Sequence, residues 1–250
     1  MVISVRNVHK RFGPQVVLDG VSIDIEPGKS TAVVGPSGVG KSVLLKLIMG
    51  IMQPDSGEIY IGGENITAAR SESRKNKIRR SLGVLFQSAA LFDSLTIFDN
   101  IAFPLHARGG VGTARLHSKV LDVADSLSLT KYLRNFPEEV SIGIRKRVGM
   151  ARALITEPKV LLVDEPNTGL DPLDGQEVYD LINACKTQWG FTGLVISHEL
   201  PEVFQVSDRV AMILGGKIIA EGSPAEMIAS TNPAVQQFLN GRTDGPIKIQ

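Results

Sequence analysis

Residues 35–42 read Gly35-Pro36-Ser37-Gly38-Val39-Gly40-Lys41-Ser42, the pattern G-x-x-x-x-G-K-S. Glycines at this spacing let successive backbone N–H groups turn toward one point, where phosphate oxygens would meet them. A helix starting at Lys41 would add the partial positive charge of its first turn. Lys41 would then reach the β and γ phosphates of a nucleotide, and the Ser42 hydroxyl would hold Mg²⁺. STAVVG, just before the loop, has the apolar run of a buried strand, and the segment after it carries Val43, Leu44, Leu47 and Ile48 at helical spacing before Gly50. Strand, loop and helix follow in the order that phosphate binding needs.

A second chemical element is VLLVDE, which ends in Asp164-Glu165. An apolar strand of a parallel sheet delivers such carboxylates to its carboxyl end, where α/β sheets place their ligands. Asp164 would hold Mg²⁺ through water. Glu165, one residue nearer solvent, would orient and polarise an attacking water.

The elements that must carry these groups are legible from periodicity. The first 66 residues read as short strands, VISVRNV, VVLDGVSIDIEPG, STAVVG and EIYIGGENI, the last with a Gly62-Gly63 turn. From about residue 88 to 158 the pattern becomes helical, with HSKVLDVADSLSL and SIGIRKRVGMARALIT as its clearest segments. Strands resume as KVLLVDE, GLVISHE and RVAMILGGKIIAEG, the first two being continuous apolar runs of a sheet covered on both faces. The expected division is a nucleotide-binding core of residues 1–87 and 159–240, a helical insertion over 88–158 and a tail over 241–250. TNPAVQQFLNGRTDGPIKIQ reads as a helix followed by that loose tail. Neither internal repeats nor low-complexity tracts interrupt the chain.

Bulk properties exclude several classes. A chain of 250 residues buries its core without staples, and the single Cys185 rules out a disulfide framework and points to a reducing compartment. With 27 Lys and Arg against 26 Asp and Glu, the charge balance gives no support to a protein that coats nucleic acid. The densest basic run, residues 70–80, reads as a solvated helix face. Although 43% of the residues are hydrophobic, no stretch approaches the roughly 18 uninterrupted apolar residues of a membrane-spanning helix. MVISVRNVHKRF alternates like a strand and lacks the apolar centre of a signal peptide, so a cytosolic chain is expected.

Further motifs stand in order around these two elements, and with them the chain resembles the ATP-binding-cassette (ABC) family over nearly its whole length. That resemblance implies an α/β fold with a RecA-like P-loop ATPase core, an N-terminal antiparallel β subdomain and an inserted α-helical subdomain. It implies that Phe12 stacks on adenine with Val17 beside it, that Gln87 in VLFQ links Mg²⁺ to a transmembrane partner, and that His198 in VISHE contacts the γ phosphate. Asn167-Thr168-Gly169-Leu170-Asp171 corresponds to the loop that touches an opposite cassette. Ser141 and Gly143 occupy positions of the LSGGQ-type signature, although Val140 replaces its leucine and Ile142 its first glycine. In the family the signature completes the ATP site of the other subunit, so Ser141, Gly143 and Asp171 would be offered to a second copy of the chain. ATP and Mg²⁺ are the implied substrate and cofactor, with Ser42, Gln87 and Asp164 around the metal. A β-branched residue at position 142 would be strained if its φ were positive, and low basal hydrolysis is expected on that account.

Two non-catalytic stretches, SAALFDSLTIFDNIAFPL and FLNGRTDGPI, are similar to the ATPases of Mla-type systems, which move phospholipid between bacterial membranes with an Mce-domain protein. This similarity implies a homodimer bound to an integral membrane permease and an Mce-domain protein, on the cytoplasmic face of the bacterial inner membrane, without nucleic acid. Four alternatives stay open here: an ABC ATPase for another substrate, a soluble ABC ATPase acting on nucleic acid or ribosomes, a P-loop GTPase, and a non-hydrolysing regulatory cassette permitted by Ile142. The second would carry tandem cassettes or a long coiled coil, for which this chain has no room. The third needs N-K-x-D, and KNKI at residues 75–78 has Ile in place of the Asp.

Overall fold

Alternation and continuous burial decide which segments become strands. Val21, Ile23 and Ile25 are buried while Ser22 and Asp24 between them are exposed, the signature of a sheet with one covered face. Ser30–Val34 is buried at every position, as is Thr192–Ser197. A computed structural model describes residues 2–248; Met1, which precedes the first expected strand, and residues 249–250 of the expected tail lie outside the described residues.

In chain order the elements are β1 (Ile3–Phe12), β2 (Gln15–Ile25), β3 (Ser30–Val34), α1 (Lys41–Ile48), β4 (Ser56–Ile61), β5 (Glu64–Asn65), α2 (Glu72–Arg79), β6 (Leu82–Leu85) and α3 (Ile97–Arg108). They continue as α4 (Thr113–Ser126), α5 (Ile142–Leu154), β7 (Val160–Asp164), α6 (Pro172–Trp189), β8 (Thr192–Ser197), β9 (Arg209–Leu214), β10 (Lys217–Gly222), α7 (Pro224–Ile228) and α8 (Pro233–Leu239). They group into two compact units, one from Met1–Arg79 with Gly190–Gln250 and the other Arg80–Trp189.

The first unit holds an antiparallel sheet in the order β2-β1-β4-β5. It also holds β3 between two parallel neighbours, with Val34 opposite Ser197 of β8 and Met212 of β9, and β10 antiparallel to β9. Since β3 has neighbours on both edges and neither face open, its five residues must all tolerate burial, which STAVV does. α1 buries Leu44, Leu45, Leu47 and Ile48, and this packing fixes where its first turn lies.

The expected loose tail is instead held down over its described part. Gln237 of α8, 4% exposed, donates through Nε2 to the carbonyls of Arg242 (3.3 Å) and Ile247 (3.0 Å) and accepts from the Ile247 N–H through Oε1 (2.7 Å). A buried amide with its donors and acceptor all paired clamps the segment around one side chain.

The second unit pairs β6 with β7 in parallel, Leu82 opposite Val160 and Leu85 opposite Val163, and packs α3, α4, α5 and α6 with them. α4 turns Leu116, Val120 and Ala124 inward at helical spacing. α5 buries Val148, Met150, Ala151 and Leu154 on the same principle, and with them Lys146.

Candidate functional site

The loop between β3 and α1 has the geometry its sequence predicts. Gly35, Gly38 and Gly40 take φ of 149°, 80° and 106°, values that L side chains rarely adopt. A Cβ at Gly38 would meet nothing within 4 Å, so backbone conformation rather than space demands glycine there; at Gly40 it would come within 2.9 Å of both Val17 Cγ1 and Leu18 Cδ2. Val17 therefore packs directly against the phosphate loop. Lys41 is 3% exposed, and its ammonium donates to the carbonyls of Gly35 (2.7 Å) and Pro36 (2.9 Å), which fixes its charge inside the loop. α1 begins without a side-chain cap and without an acidic residue in its first turn, so no carboxylate of its own neutralises the positive end of its dipole. Pro36, Ser37, Val39 and Ser42 complete a cradle suited to a phosphate chain.

The same unit holds two other predicted residues, one of which borders this loop. His198 follows β8 directly and lines, with Pro36, a cavity of about 550 Å³. Phe12 ends β1 with its ring 45% exposed, and Lys10 Nζ stands 5.6 Å from the ring centroid. An aromatic face left open at a strand end can stack on a flat base.

In the second unit the parallel register sets the next group. Because Leu85 lies opposite Val163, Gln87 and Glu165 each emerge two residues later from the same edge of the strand pair, with Asp164 closing β7. Glu165 adopts a left-handed backbone, φ 44°. Thr168 Oγ1 donates to Glu165 Oε2 at 3.3 Å. Asp171 accepts from the N–H groups of Leu173 (3.0 Å) and Asp174 (2.9 Å), which makes it the cap of α6, a structural duty that its sequence motif does not reveal.

Ser141 caps α5, its Oγ accepting from the Ile144 N–H at 3.4 Å, and the first turn of α5 also lacks an acidic residue. Ile142 is the first helical residue, 44% exposed, and is absent from the positive-φ residues. The expectation of left-handed strain at Ile142 is therefore corrected: a helix N1 position accepts a β-branched residue at ordinary dihedrals. Gly143 has no neighbour closer to its would-be Cβ than Ser141 Oγ at 4.0 Å, so nothing within the described chain requires glycine there.

The sequence reading missed Lys146, Arg152 and the Thr168 hydroxyl. Lys146 donates to the Gln87 carbonyl, and Arg152 to those of Ala89 (2.5 Å) and Ala90 (2.7 Å). Burial lowers the pKa of both cations from their ordinary values. The available signal was spacing, since residues 146, 149 and 152 recur every three positions and share one helix face. Among the described residues no cluster of three or more His, Cys, Asp or Glu could hold a metal ion. Ser42 in the first unit carries a hydroxyl, and Asp164 and Gln87 in the second carry a carboxylate and an amide, each an oxygen donor of the type Mg²⁺ takes beside phosphates and water.

The sequence profile described as ABC transporter matches residues 18–168. This chain belongs to the ABC transporter family. The cassette is similar to the intermembrane phospholipid transport system ATP-binding protein MlaF of Escherichia coli (strain K12), with 38% identity over 249 residues, 100% of this chain and 92% of that protein. Among solved structures it resembles cbiO1 from Clostridium perfringens, part of the ABC transporter complex cbiONQ (TM-score 0.83, 28% identity, 91% of this chain and 90% of that one). It also resembles the ATP-binding cassette MJ0796 in a dimeric post-hydrolysis state bound to ADP and Pi (TM-score 0.79, 27% identity, 89% and 98%). The cassette is an ABC-type ATPase with the family's α/β fold. No helix among its described residues is long and apolar enough to cross a membrane.

Proposed function

We propose that this ABC ATPase powers a permease that moves phospholipid between bacterial membranes, working as a nucleotide-sandwich dimer at the cytoplasmic face of the inner membrane. The likeness to MlaF along the full length of the chain carries this reading. Residues 1–87 and 159–240 act as the nucleotide-binding core and 88–158 as the helical part that answers the permease.

Each side chain then has a defined task. Phe12 and Val17 seat the base, while the N–H groups of residues 35–42 and the Lys41 ammonium hold the phosphates. Ser42, Asp164 and Gln87 hold Mg²⁺, which on binding supplies charge neutralisation to the β and γ phosphates. Glu165 accepts a proton from the attacking water, and His198 donates to the γ phosphate. Ser141, Gly143 and the first turn of α5, with Asp171, serve the site of a second copy.

The permease reading has support in the second unit. Phe86, Phe92, Phe103, Pro104, Arg108 and Arg152 line an open groove of about 340 Å³. Phe92 and Phe103 lie with ring centroids 4.5 Å apart and are 42% and 41% exposed. Open apolar rings bordered by two guanidinium groups suit an amphipathic helix with an acidic end. An Mce-domain lipid-binding protein would join the same complex.

Affinity purification of the tagged chain from detergent-solubilised membranes tests the proposal. Co-purification of an integral membrane permease together with phospholipid is the expected result. Recovery of ribosomes or nucleic acid without a permease would overturn it, and a permease carrying a different solute would overturn the lipid assignment alone.

A further inference from the structure

The turn that follows β6 carries an unusual conformation. Ala89 and Ala90 both have positive φ, 59° and 46°, although neither is glycine. Two consecutive alanines stay in the left-handed region only where the surroundings over-determine them. Here the restraints are visible and come chiefly from one helix. Lys146 of α5, 3% exposed, donates to the carbonyl of Gln87, and Arg152 of α5 donates to the carbonyls of Ala89 and Ala90.

Between these cations lies Gly149, where a Cβ would stand 2.9 Å from Leu85 Cδ1 and 3.0 Å from Ala89 Cβ. The helix is thus pressed against the turn at the point where it lacks a side chain. From the other side, buried Asn100 of α3 accepts from the Phe92 N–H at 2.8 Å and donates to the Phe92 carbonyl at 3.0 Å. Residues 87–92 are gripped at four positions, three of them by charge-assisted bonds from α5.

A lysine buried in a helix interface needs acceptors that repay its desolvation, and a neutral side chain would pack there as well. Its place on the face shared with Gly149 and Arg152 makes sense if the carbonyl it holds must stay in one position. α5 is also the helix that Ser141 caps. We infer that Lys146 and Arg152 are positioning residues for Gln87, fastening its turn to the signature-bearing helix so that any displacement of α5 carries the Gln87 amide with it.

This inference rests on the reading of Gln87 as a Mg²⁺-linked residue, and the test separates the two. Full-length Lys146→Met, Lys146→Arg and Gln87→Ala proteins are compared for amide hydrogen exchange and for the Mg²⁺ concentration that half-saturates binding of a fluorescent ATP analogue. Lys146→Met is expected to speed exchange in residues 87–92 by about tenfold or more, with exchange in α4 unchanged. It should raise the Mg²⁺ requirement in the direction that Gln87→Ala raises it, with analogue binding in EDTA unaltered. Lys146→Arg keeps the cation and should restore both properties, which a purely packing role would not. Should Lys146→Met not fold, Arg152→Lys supplies the same comparison, because it keeps a charge but cannot serve two carbonyls from one planar fork. If Gln87→Ala shifts the Mg²⁺ requirement and the α5 variants leave both it and the exchange at parental values, the inference fails while the reading of Gln87 stands. If Gln87→Ala itself causes no shift, both fail.

Discussion

Thr168 Oγ1 donates to Glu165 Oε2 at 3.3 Å across a turn in which Glu165 itself is left-handed. For a non-glycine residue that conformation costs about 1–3 kcal/mol, so the surrounding chain holds this carboxylate where an extended residue would not deliver it. Replacing it by Gln keeps the shape and removes the proposed base. Glu165→Gln should bind ATP with parental affinity, shift toward a dimer when ATP is added, and lose hydrolysis by roughly 10²–10⁴-fold. Steady-state phosphate release and sedimentation with and without ATP measure both effects; turnover within a factor of a few of the parent removes Glu165 from the role of base.

Lys41→Ala should abolish tight nucleotide binding. The same change leaves the carbonyls of Gly35 and Pro36 without their donor, at about 1–3 kcal/mol for each buried acceptor not rescued by water. Titration with a fluorescent ATP analogue, at a temperature where circular dichroism shows the variant folded, distinguishes lost affinity from lost fold. Unchanged affinity would overturn the phosphate-loop assignment.

Gly143→Ala offers a clean separation of folding from assembly. A Cβ at this helical position meets no neighbour closer than 4.0 Å, and alanine favours a helix over glycine by about 0.5–1 kcal/mol, so thermal stability should hold or rise. If Gly143 is offered in trans as proposed, ATPase activity of the assembled complex should nevertheless fall, because the extra methyl would stand in the way of the second copy's nucleotide. Full activity in the complex would show that Gly143 is not offered in trans.

Ile142→Gly should raise hydrolysis by the assembled transporter several-fold. With no left-handed strain at this position, the gain comes from removing a half-exposed side chain from the first turn of α5. Matched complexes assayed side by side decide it, and equal or lower activity means that the isoleucine does not obstruct the closed state.

Cys185 is 1% exposed, and burial pushes its thiol up to about 12. The folded protein should therefore resist thiol reagents at pH 8 and become reactive only on unfolding, as timed labelling with and without denaturant would show. Because the raised pKa means that the unfolded chain loses this proton first, the group's contribution is intact below the ordinary thiol pKa. Stability should decline as pH climbs from there toward 12.

Much of this architecture is legible from burial alone. STAVV and VLLVD can only be strands covered on both faces, and the loop and carboxylates at their ends follow from that placement. α6 is harder to see, since its inward residues Val178, Tyr179, Ile182 and Cys185 are interspersed with half-buried Leu181 and exposed Ala184, which blur the apolar stripe. Lys146 illustrates a deeper limit: residue type assigns a lysine to the surface, whereas here a carbonyl from a distant turn draws its ammonium inside. Gln237 escapes notice likewise, because its partners, the carbonyls of Arg242 and Ile247, exist as a pair only once the segment has folded around it. The backbone of Glu165 has no sequence signal at all, for the left-handed turn is imposed by what surrounds it.

The clamp on Gln237 decides where foreign sequence can be attached. Pro246, Ile247 and Lys248 line one cavity with Pro36, Ser37 and Gly38, so bulk attached at Lys248 would stand beside the phosphate loop. An affinity handle or fluorescent fusion placed there would crowd arriving nucleotide and depress measured binding for reasons unrelated to the enzyme. Val2 does not line that cavity. β1 runs ten residues from Ile3 to Phe12, about 30 Å at strand rise, so a label at Val2 sits at the far end of that strand from the aromatic ring at Phe12.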